Sequence, residues 1–385
     1  MNLTKPSNPN FSSGPCNKHF GWKVSRNLKN SLVGRSHRSK SGKLKIKGLI
    51  ELTKKVLEIP KDYFLGIVPG SDTGAIELAF WNILGAKGVD VLAWDSFGHD
   101  WVNDIVNQLK IKDVRVFSSD YGHLPDLQKV NFSRDVVFTW NGTTSGVCIP
   151  NSDWIKSNRT GLTICDATSA VFAMPINWYS LDVATFSWQK ALGGEASHGV
   201  LILSPRAINR LEEYKPHWPI PKLFNLFKND KINYEIFEGI TINTPSMIAI
   251  EDYYSALNWA KSIGGLSKLQ SISQNNLEII RQFCDKNVWI EFLAQDSSIL
   301  SCTSVCLIFN DLWYNNLSDK KQRKVVKCFC SYLEEKDVAY DIEGYRSAPP
   351  GIRIWCGPTI QTANLKKLMP WLSIAWDHVK IKENH

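Results

Sequence analysis

The stretch 161–200 constrains the fold of this chain more than any other. It contains three short apolar runs, each bounded by polar or glycine residues. Runs this short are typical of buried β-strands rather than helices. Asp166 ends the first run, and Lys190 follows the second, with a glycine pair at 193–194 close behind it. In a sheet whose strands alternate with helices, residues at these strand ends share the edge where ligands bind.

An acid and an amine placed at one sheet edge suit pyridoxal phosphate. A lysine can form the Schiff base with the cofactor aldehyde, while a carboxylate keeps the pyridine nitrogen protonated. The alternative is that Asp166 caps a turn and Lys190 is a surface lysine, and their spacing alone would favour it. The neighbouring glycines favour the cofactor site, because glycine lets backbone approach a flat ring closely. We therefore predict catalytic roles for Lys190 and Asp166.

Composition argues against several other classes of protein. The 385 residues suffice for two domains, and 43% hydrophobic with 21% charged residues is ordinary for a globular enzyme. The apolar runs are too short for a transmembrane helix, and the N-terminus lacks the apolar core of a secretory signal. Nine scattered cysteines fit reduced thiols better than a disulfide framework or a metal site. We therefore expect a cytoplasmic protein with neither membrane association nor bound metal.

The net charge of +8 is concentrated in the basic segment 35–47. This segment could be a nucleic-acid patch, a solvated surface, or in part a contact for a doubly negative small substrate. No interleaved aromatic residues and no nucleic-acid-binding motif accompany it, so no nucleic-acid partner is expected. A small anionic substrate fits the rest of the chain best.

Alternating strand and helix patterns predict an α/β fold with a mainly parallel sheet as far as about residue 205. A Pro- and aromatic-rich stretch at 214–243 indicates loops, and a helical pattern covers 246–262. The later patterns predict a smaller α+β unit with strands that include 339–342 and 352–356. We predict an N-terminal arm with a substrate-binding segment over 1–40, a large cofactor-binding domain over 41–262 and a small C-terminal domain over 263–385.

Two turns and three side chains could complete the site. The turn 71–74 begins a helical pattern, where free N–H groups and the helix dipole can hold a phosphate, although a plain N-cap explains it equally. Thr143 lies in a turn after a strand pattern and could reach the ring hydroxyl or have no further role. Either Trp94 or Trp101 could stack on the pyridine ring, and periodicity does not choose between them. Arg353 lies inside an apolar run, so we expect it to have an anionic partner.

The chain resembles the phosphoserine aminotransferase family of fold-type I pyridoxal-phosphate enzymes. The resemblance runs from about residue 9 to the C-terminal helix and is carried, in order, by FSSGPC, GRSHRSK, SDTGA, FTWNGTTSG, TICDATSA, TFSWQK and INTPS. It implies a homodimer with active sites at the subunit interface. It also implies a transamination in serine biosynthesis. This reaction converts 3-phosphooxypyruvate and L-glutamate to O-phospho-L-serine and 2-oxoglutarate, and the reverse. The family also acts on a phosphorylated hydroxythreonine in vitamin B6 synthesis.

The resemblance also implies a role for each residue of these motifs that would contact the cofactor. Lys190 would form the Schiff base and Asp166 would hold the pyridine nitrogen. The resemblance makes Trp101, rather than Trp94, the tryptophan that stacks on the ring. The remaining cofactor contacts would be Gln189 and Thr143, Asp72 and Thr73 at the phosphate, and Asn243 and Thr244 reaching that phosphate from the neighbouring subunit.

The substrate would be held by basic residues. The resemblance assigns its distal phosphate or carboxylate to His37 and Arg38, and its α-carboxylate to Arg353. The nearest alternative is a serine–pyruvate or alanine–glyoxylate aminotransferase of the same fold, which needs no pocket for a distal anion. A second alternative is a non-catalytic binding protein on this fold.

Two features depart from the family pattern. Thr73 stands where better-known members carry an arginine, so one charge for the distal phosphate is missing, and Arg35 is one candidate to replace it. The segment 346–353 is one residue longer than usual. The division of work between Arg346 and Arg353 is therefore open.

Overall fold

The computed structural model of the protein describes residues 3–383. Within that range the backbone forms fourteen strands. They are β1 (Phe64–Pro69), β2 (Val89–Ala93), β3 (Val114–Ser118), β4 (Asp135–Thr139), β5 (Asn141–Gly142), β6 (Val147–Cys148), β7 (Thr163–Asp166), β8 (Val183–Ser187), β9 (His198–Leu203), β10 (Phe227–Lys228), β11 (Lys231–Ile232), β12 (Ile290–Phe292), β13 (Ser304–Phe309) and β14 (Gly351–Trp355).

Ten α-helices accompany these strands in the described residues, and a π-helical turn at Asp104–Gln108 continues the fourth of them. They are α1 (Val24–Asn27), α2 (Lys40–Val56), α3 (Ser71–Ile83), α4 (Ser96–Asn103), α5 (Pro205–Glu213), α6 (Met247–Ser262), α7 (Gly265–Lys286), α8 (Leu312–Asn315), α9 (Asp319–Glu335) and α10 (Thr362–Glu383). No helix in the range 3–383 has the length and apolar character needed to cross a membrane.

A seven-stranded sheet with the order β1-β9-β8-β7-β4-β2-β3 forms the larger part of the fold. The five strands from β8 to β3 are parallel, whereas β9 pairs antiparallel with both β8 and β1. Every residue of β2, β4, β7 and β8 is buried, as expected for strands that are covered on both faces. The predicted α/β class with a mainly parallel sheet is confirmed.

The topology brings several strand ends to one edge of this sheet. The strands β1, β4, β7 and β8 run in the same direction, so their carboxyl ends meet there. The turn into α3 follows β1, and the turn that contains Thr143 follows β4. Asp166 is the last residue of β7, and Lys190 follows β8. Ligands of open α/β sheets bind at such an edge.

A smaller antiparallel sheet, β12-β13-β14, lies in the last third of the chain with α7, α9 and α10. The predicted strand at 339–342 is wrong: this segment makes one isolated bridge, from Tyr340 to Asn10, and the next bridge, from Glu343 to Ile352, lies beyond it. Asp341 has a φ of 55°, a left-handed conformation that interrupts an extended strand. The third strand is instead β12, which the sequence patterns did not indicate.

Residues 7–18 form the part of the predicted N-terminal segment that we call the N-terminal arm. This arm runs from the small sheet to the segment that carries Lys190. Phe11 is fully buried, and its carbonyl accepts a hydrogen bond from the Trp355 backbone N–H at 3.0 Å. Farther along, the Cys16 N–H donates to the Gln189 carbonyl at 2.9 Å. The arm therefore joins the small sheet to the active-site edge of the large one.

Candidate active site

Lys190 lies in a confined place beneath the N-terminal arm. Its amine donates a hydrogen bond to the Ser13 carbonyl, and a methyl group added at Gly14 would lie 2.6 Å from Lys190 Nζ. Burial lowers the pKa of the Lys190 amine; Arg353 acts in the same direction, while the Asp166 charge opposes it. A lowered pKa increases the fraction of neutral amine, which is the nucleophilic form.

Asp166 is held by two N–H donors. The Trp101 indole donates to Oδ2 at 3.2 Å, and the Thr168 backbone N–H donates to Oδ1 at 3.0 Å. Trp101 is buried at the site, whereas Trp94 packs in the core and donates its indole N–H to the Val147 carbonyl at 3.0 Å. The structure therefore brings Trp101, and not Trp94, to the carboxylate.

Arg353 and Thr143 meet on the other side of the site. The Arg353 guanidinium donates from Nη1 to the Thr143 carbonyl at 3.3 Å, and the Thr143 hydroxyl donates to Ser169 Oγ at 2.8 Å. Arg353 Nε is buried without a partner, and its guanidinium carbon lies 5.8 Å from the Tyr345 ring centre. Residues 3–383 supply no carboxylate within 4.0 Å of it, so the anionic partner expected for Arg353 is not a side chain of these residues. Arg346 is exposed.

The turn before α3 separates two residues that were predicted to lie together at a phosphate. Gly70 and Ser71 both have left-handed backbone, with φ values of 85° and 55°. Thr73 is exposed, whereas the Asp72 carboxyl is buried. Burial, followed by the Asp166 charge, raises the pKa of Asp72 well above its usual range. The Asp72 side chain therefore lies beside the predicted partner of the ring nitrogen.

Several buried polar atoms around these groups have no hydrogen-bond partner within the described residues. Buried polar atoms are nearly always paired in native proteins, so such a cluster indicates space for a polar ligand. An amine, a carboxylate, an indole and unpaired hydroxyls fit the aldehyde, ring nitrogen, ring face and polar substituents of pyridoxal phosphate. The unpaired atoms are Gln189 Oε1, Asp72 Oδ1, Thr168 Oγ1, Thr185 Oγ1, Ser187 Oγ and Arg353 Nε.

His37 and Thr244 line a separate cavity of about 270 Å³, together with Arg35. His37 Nε2 is buried without a partner, and burial, followed by the Arg38 charge, lowers the pKa of His37. Arg38 itself is exposed, and the half-buried Asn243 precedes Thr244 in the chain. The structure brings these predicted residues together in one region. None of them forms a hydrogen bond with Lys190 or Asp166 in the part of the chain that the structure describes.

Comparison with known proteins assigns the chain to a family. It is 55% identical over 375 residues to the phosphoserine aminotransferase of Methanosarcina barkeri, and the match covers 97% of this chain and 98% of that protein. The corresponding protein of Methanosarcina mazei gives the same identity and coverage. This chain belongs to the phosphoserine aminotransferase family. No model of a protein family matches the chain.

Solved phosphoserine aminotransferases have the same fold. The structure from Cytophaga hutchinsonii superposes with a TM-score of 0.79 at 20% identity, covering 95% of this chain and 99% of that one. The structure from Bacillus circulans subsp. alkalophilus also gives 0.79, at 16% identity, covering 96% and 99%. An alanine–glyoxylate aminotransferase from Nostoc superposes with a TM-score of 0.76 at 16% identity. At such identities these structures support the fold alone.

Sequence reasoning missed the contribution of the arm to this site. Cys16 is buried near Lys190 and Arg353, and burial raises the pKa of its thiol to about 12, although both cations oppose this. Cys16 is therefore a neutral thiol. The signal in the sequence was the motif FSSGPC, which supported the resemblance without suggesting a contact with Lys190.

Proposed function

We propose that this protein is a pyridoxal-phosphate-dependent phosphoserine aminotransferase. It converts 3-phosphooxypyruvate and L-glutamate to O-phospho-L-serine and 2-oxoglutarate, and the reverse, in serine biosynthesis. The observation that carries the proposal is the meeting of the Lys190 amine and the Asp166 carboxylate at one sheet edge, in a chain 55% identical to a phosphoserine aminotransferase. A direct test is to supply O-phospho-L-serine and 2-oxoglutarate and to measure L-glutamate; no product at saturating cofactor would refute it.

Pyridoxal phosphate supplies a carbonyl carbon that binds amines and a ring that accepts the electrons of the substrate Cα–H bond. Lys190 would hold the carbonyl carbon of the cofactor, and its free amine would accept the proton from the substrate α-carbon. Its lowered pKa supports this role, because the free amine must be neutral to accept that proton. Asp166 would keep a proton on the ring nitrogen, which would favour electron flow into the ring. Trp101 would stack on the ring.

The remaining cofactor contacts are polar. We assign the Thr143 hydroxyl and Gln189 to the ring substituents, since Gln189 Oε1 is buried without a partner. The backbone N–H groups at Asp72 and Thr73, at the start of α3, hold the phosphate together with the Thr73 hydroxyl. Support comes from the left-handed turn, which leaves the N–H groups at a helix start free for an anion.

Arg353 binds the α-carboxylate of the substrate. Its guanidinium is fixed by one bond to the Thr143 carbonyl and leaves Nε buried and unpaired. A substrate carboxylate would satisfy this nitrogen and could be held by two parallel hydrogen bonds. Arg346, which is exposed, is the weaker candidate for this contact.

The distal phosphate or γ-carboxylate is bound by His37 and Arg38. Both substrates carry an anion beyond the α-carbon, so one basic pocket serves both. Arg35 lines the same cavity as His37 and forms no ion pair within residues 3–383. Arg35 therefore replaces the charge that is missing at Thr73.

We also propose a homodimer with shared active sites. His37 and Thr244 line one cavity of the chain, and within residues 3–383 neither forms a hydrogen bond with Lys190 or Asp166. Such an arrangement is expected if Asn243 and Thr244 extend to the cofactor phosphate of a partner subunit. Val33 and Ile248 border the cavity and expose 66% and 46% of their surface, which is typical of an interface.

The division of the chain at 40 and 262, and a cytoplasmic location, are also proposals. The separate antiparallel sheet of β12, β13 and β14 supports a small C-terminal domain. All nine cysteines are free thiols, which suits a reducing compartment.

Replacing both His37 and Arg38 by alanine tests the substrate. We expect kcat/KM for O-phospho-L-serine to fall about 10²-fold, because each hydrogen bond to a charged group contributes roughly 1.5–3 kcal/mol. Arg35→Ala alone should lower it about tenfold on the same basis. Steady-state kinetics with varied phosphoserine measures both effects.

The matched control is Lys55→Ala with Lys61→Ala, which removes two exposed lysines elsewhere. It should leave kcat/KM unchanged. If the His37 and Arg38 double variant turned over phosphoserine at the normal rate, these two residues would not bind the distal anion of the substrate.

A further inference from the structure

Asp252 is a buried carboxylate of α6 that holds two other segments of the chain. It is 1% exposed. Its Oδ2 atom accepts a hydrogen bond from the Lys18 amine at 2.7 Å and another from the Glu195 backbone N–H at 2.8 Å. Its Oδ1 atom accepts a third from the Trp22 indole at 2.8 Å. A carboxylate in such a buried place is stable only when it is paired and hydrogen-bonded, and Lys18 supplies the opposite charge.

Glu195 is the last residue of the turn 188–195, which carries Lys190. Inside this turn the Gly193 N–H donates to the Lys190 carbonyl at 3.0 Å, and the Gly194 N–H donates to the Trp188 carbonyl at 3.0 Å. The Trp188 indole N–H donates to the Glu195 carbonyl at 2.8 Å. These bonds tie the two ends of the turn together, so a displacement of Glu195 would also displace Lys190.

Lys18 is the last residue of the N-terminal arm, and the arm packs directly on this turn. Gly193 has a φ of 61°, and a methyl group added there would lie 2.0 Å from the Asn17 carbonyl oxygen. The Lys18 amine also pairs with the Glu195 carboxylate at 2.8 Å. The Asp252 carboxylate therefore binds the arm and the turn to each other.

We propose that Asp252 is a positioning residue for the transamination, which holds the arm on the turn 188–195 and thereby sets the place of the Lys190 amine. The inference deepens the proposed function and rests on it. Within residues 3–383 Asp252 forms no hydrogen bond with Lys190, so it acts through the residues that it holds.

The reactivity of the Cys16 thiol tests this contact in the cofactor-free protein. Cys16 is 6% exposed and lies in the arm, close to Lys18. Asp252→Ala removes the acceptor of all three bonds and should raise the rate at which iodoacetamide alkylates Cys16 at least about tenfold, because the arm then opens without unfolding of the sheet. Cys165, which is fully buried in β7, should keep its wild-type rate. Peptide mass spectrometry measures both thiols.

Steady-state kinetics of the cofactor-loaded protein gives a second readout. Asp252→Ala should lower kcat for O-phospho-L-serine about tenfold or more while KM stays within about threefold, because a misplaced amine slows proton transfer without weakening the binding of substrate. Asp252→Asn keeps one acceptor oxygen and should lose less of kcat than Asp252→Ala. The control Asp377→Ala removes an exposed carboxylate of α10 and should leave both the thiol reactivity and kcat unchanged.

Lys18→Ala removes the other side of the ion pair and leaves α6 intact. It decides the question if Asp252→Ala loses its general fold and Cys165 becomes reactive together with Cys16. Lys18→Ala should then increase the reactivity of Cys16 alone.

Three results would overturn the inference. They are a wild-type rate of Cys16 alkylation in folded Asp252→Ala, a wild-type rate of Cys16 alkylation in Lys18→Ala, and a wild-type kcat in Asp252→Ala when its Cys16 reacts faster. Failure of the proposed function looks different. The wild-type protein would then form no L-glutamate from O-phospho-L-serine and 2-oxoglutarate, whereas the difference in Cys16 reactivity, measured without cofactor, would remain.

Discussion

Lys190→Ala is expected to lower the transamination rate by about 10⁴-fold, at the upper end of the range for loss of a positioned acid–base group. Lys190 is the amine that holds the cofactor and later moves the substrate α-proton, so its removal abolishes both steps. Lys190 lies beneath Ser13 and Gly14, and within residues 3–383 no other lysine donates a hydrogen bond to the Ser13 carbonyl. The measurement is L-glutamate formation from O-phospho-L-serine and 2-oxoglutarate at saturating cofactor.

A suitable control is Lys222→Ala, which removes an exposed lysine and should leave the rate unchanged. Visible absorption gives a separate readout, since Lys190→Ala should lose the absorption that depends on a covalent bond to the protein. A Lys190→Ala variant that retained more than about a tenth of the wild-type rate would exclude Lys190 as the proton-transferring group.

Asp166→Asn is expected to lower the rate by about 10³-fold, comparable to the loss of a major electrostatic contact in other active sites. The amide cannot hold a positive charge on the ring nitrogen, so the ring would accept electrons less readily. The bonds from Trp101 and Thr168 fix the orientation of the side chain, and an asparagine can retain at least one of them. Loss of rate with nearly normal cofactor affinity would therefore reflect charge rather than structure.

A suitable control is Asp100→Asn, because it removes a carboxylate from the exposed face of α4. Full activity of Asp166→Asn would show that the ring nitrogen needs no carboxylate, and the proposed role of Asp166 would fail. Measuring kcat and KM separately distinguishes this effect from weaker substrate binding, which would raise KM.

The central edge of the sheet could be predicted from the sequence because its signal is local. The runs that become β7 and β8 are short, wholly buried and bounded by polar residues, and each ends next to Asp166 or Lys190. Parallel strands carry their carboxyl ends to one edge, so strand identity alone brought the acid and the amine together. The helix α6 was also predicted within about two residues, because its apolar residues recur at helical spacing.

Other features depend on contacts between residues far apart in sequence. The bond from Trp101 to Asp166 and the cavity that joins His37 to Thr244 have no local pattern that predicts them. The choice between Trp94 and Trp101 required the resemblance to a family, since both lie beside the same strand. The segment at 339–342 has the composition of a strand, but the left-handed Asp341 interrupts it. Local propensity did not prevail over tertiary structure there.

The N-terminal arm has a consequence for the order in which the enzyme matures on the ribosome. Phe11 is synthesised 344 residues before Trp355, yet its carbonyl accepts a hydrogen bond from the Trp355 backbone N–H. Domains fold in the order of their translation, so the large sheet can form while the arm still lacks its docking place. The arm that covers Lys190 can therefore reach its final position only after translation has passed residue 355.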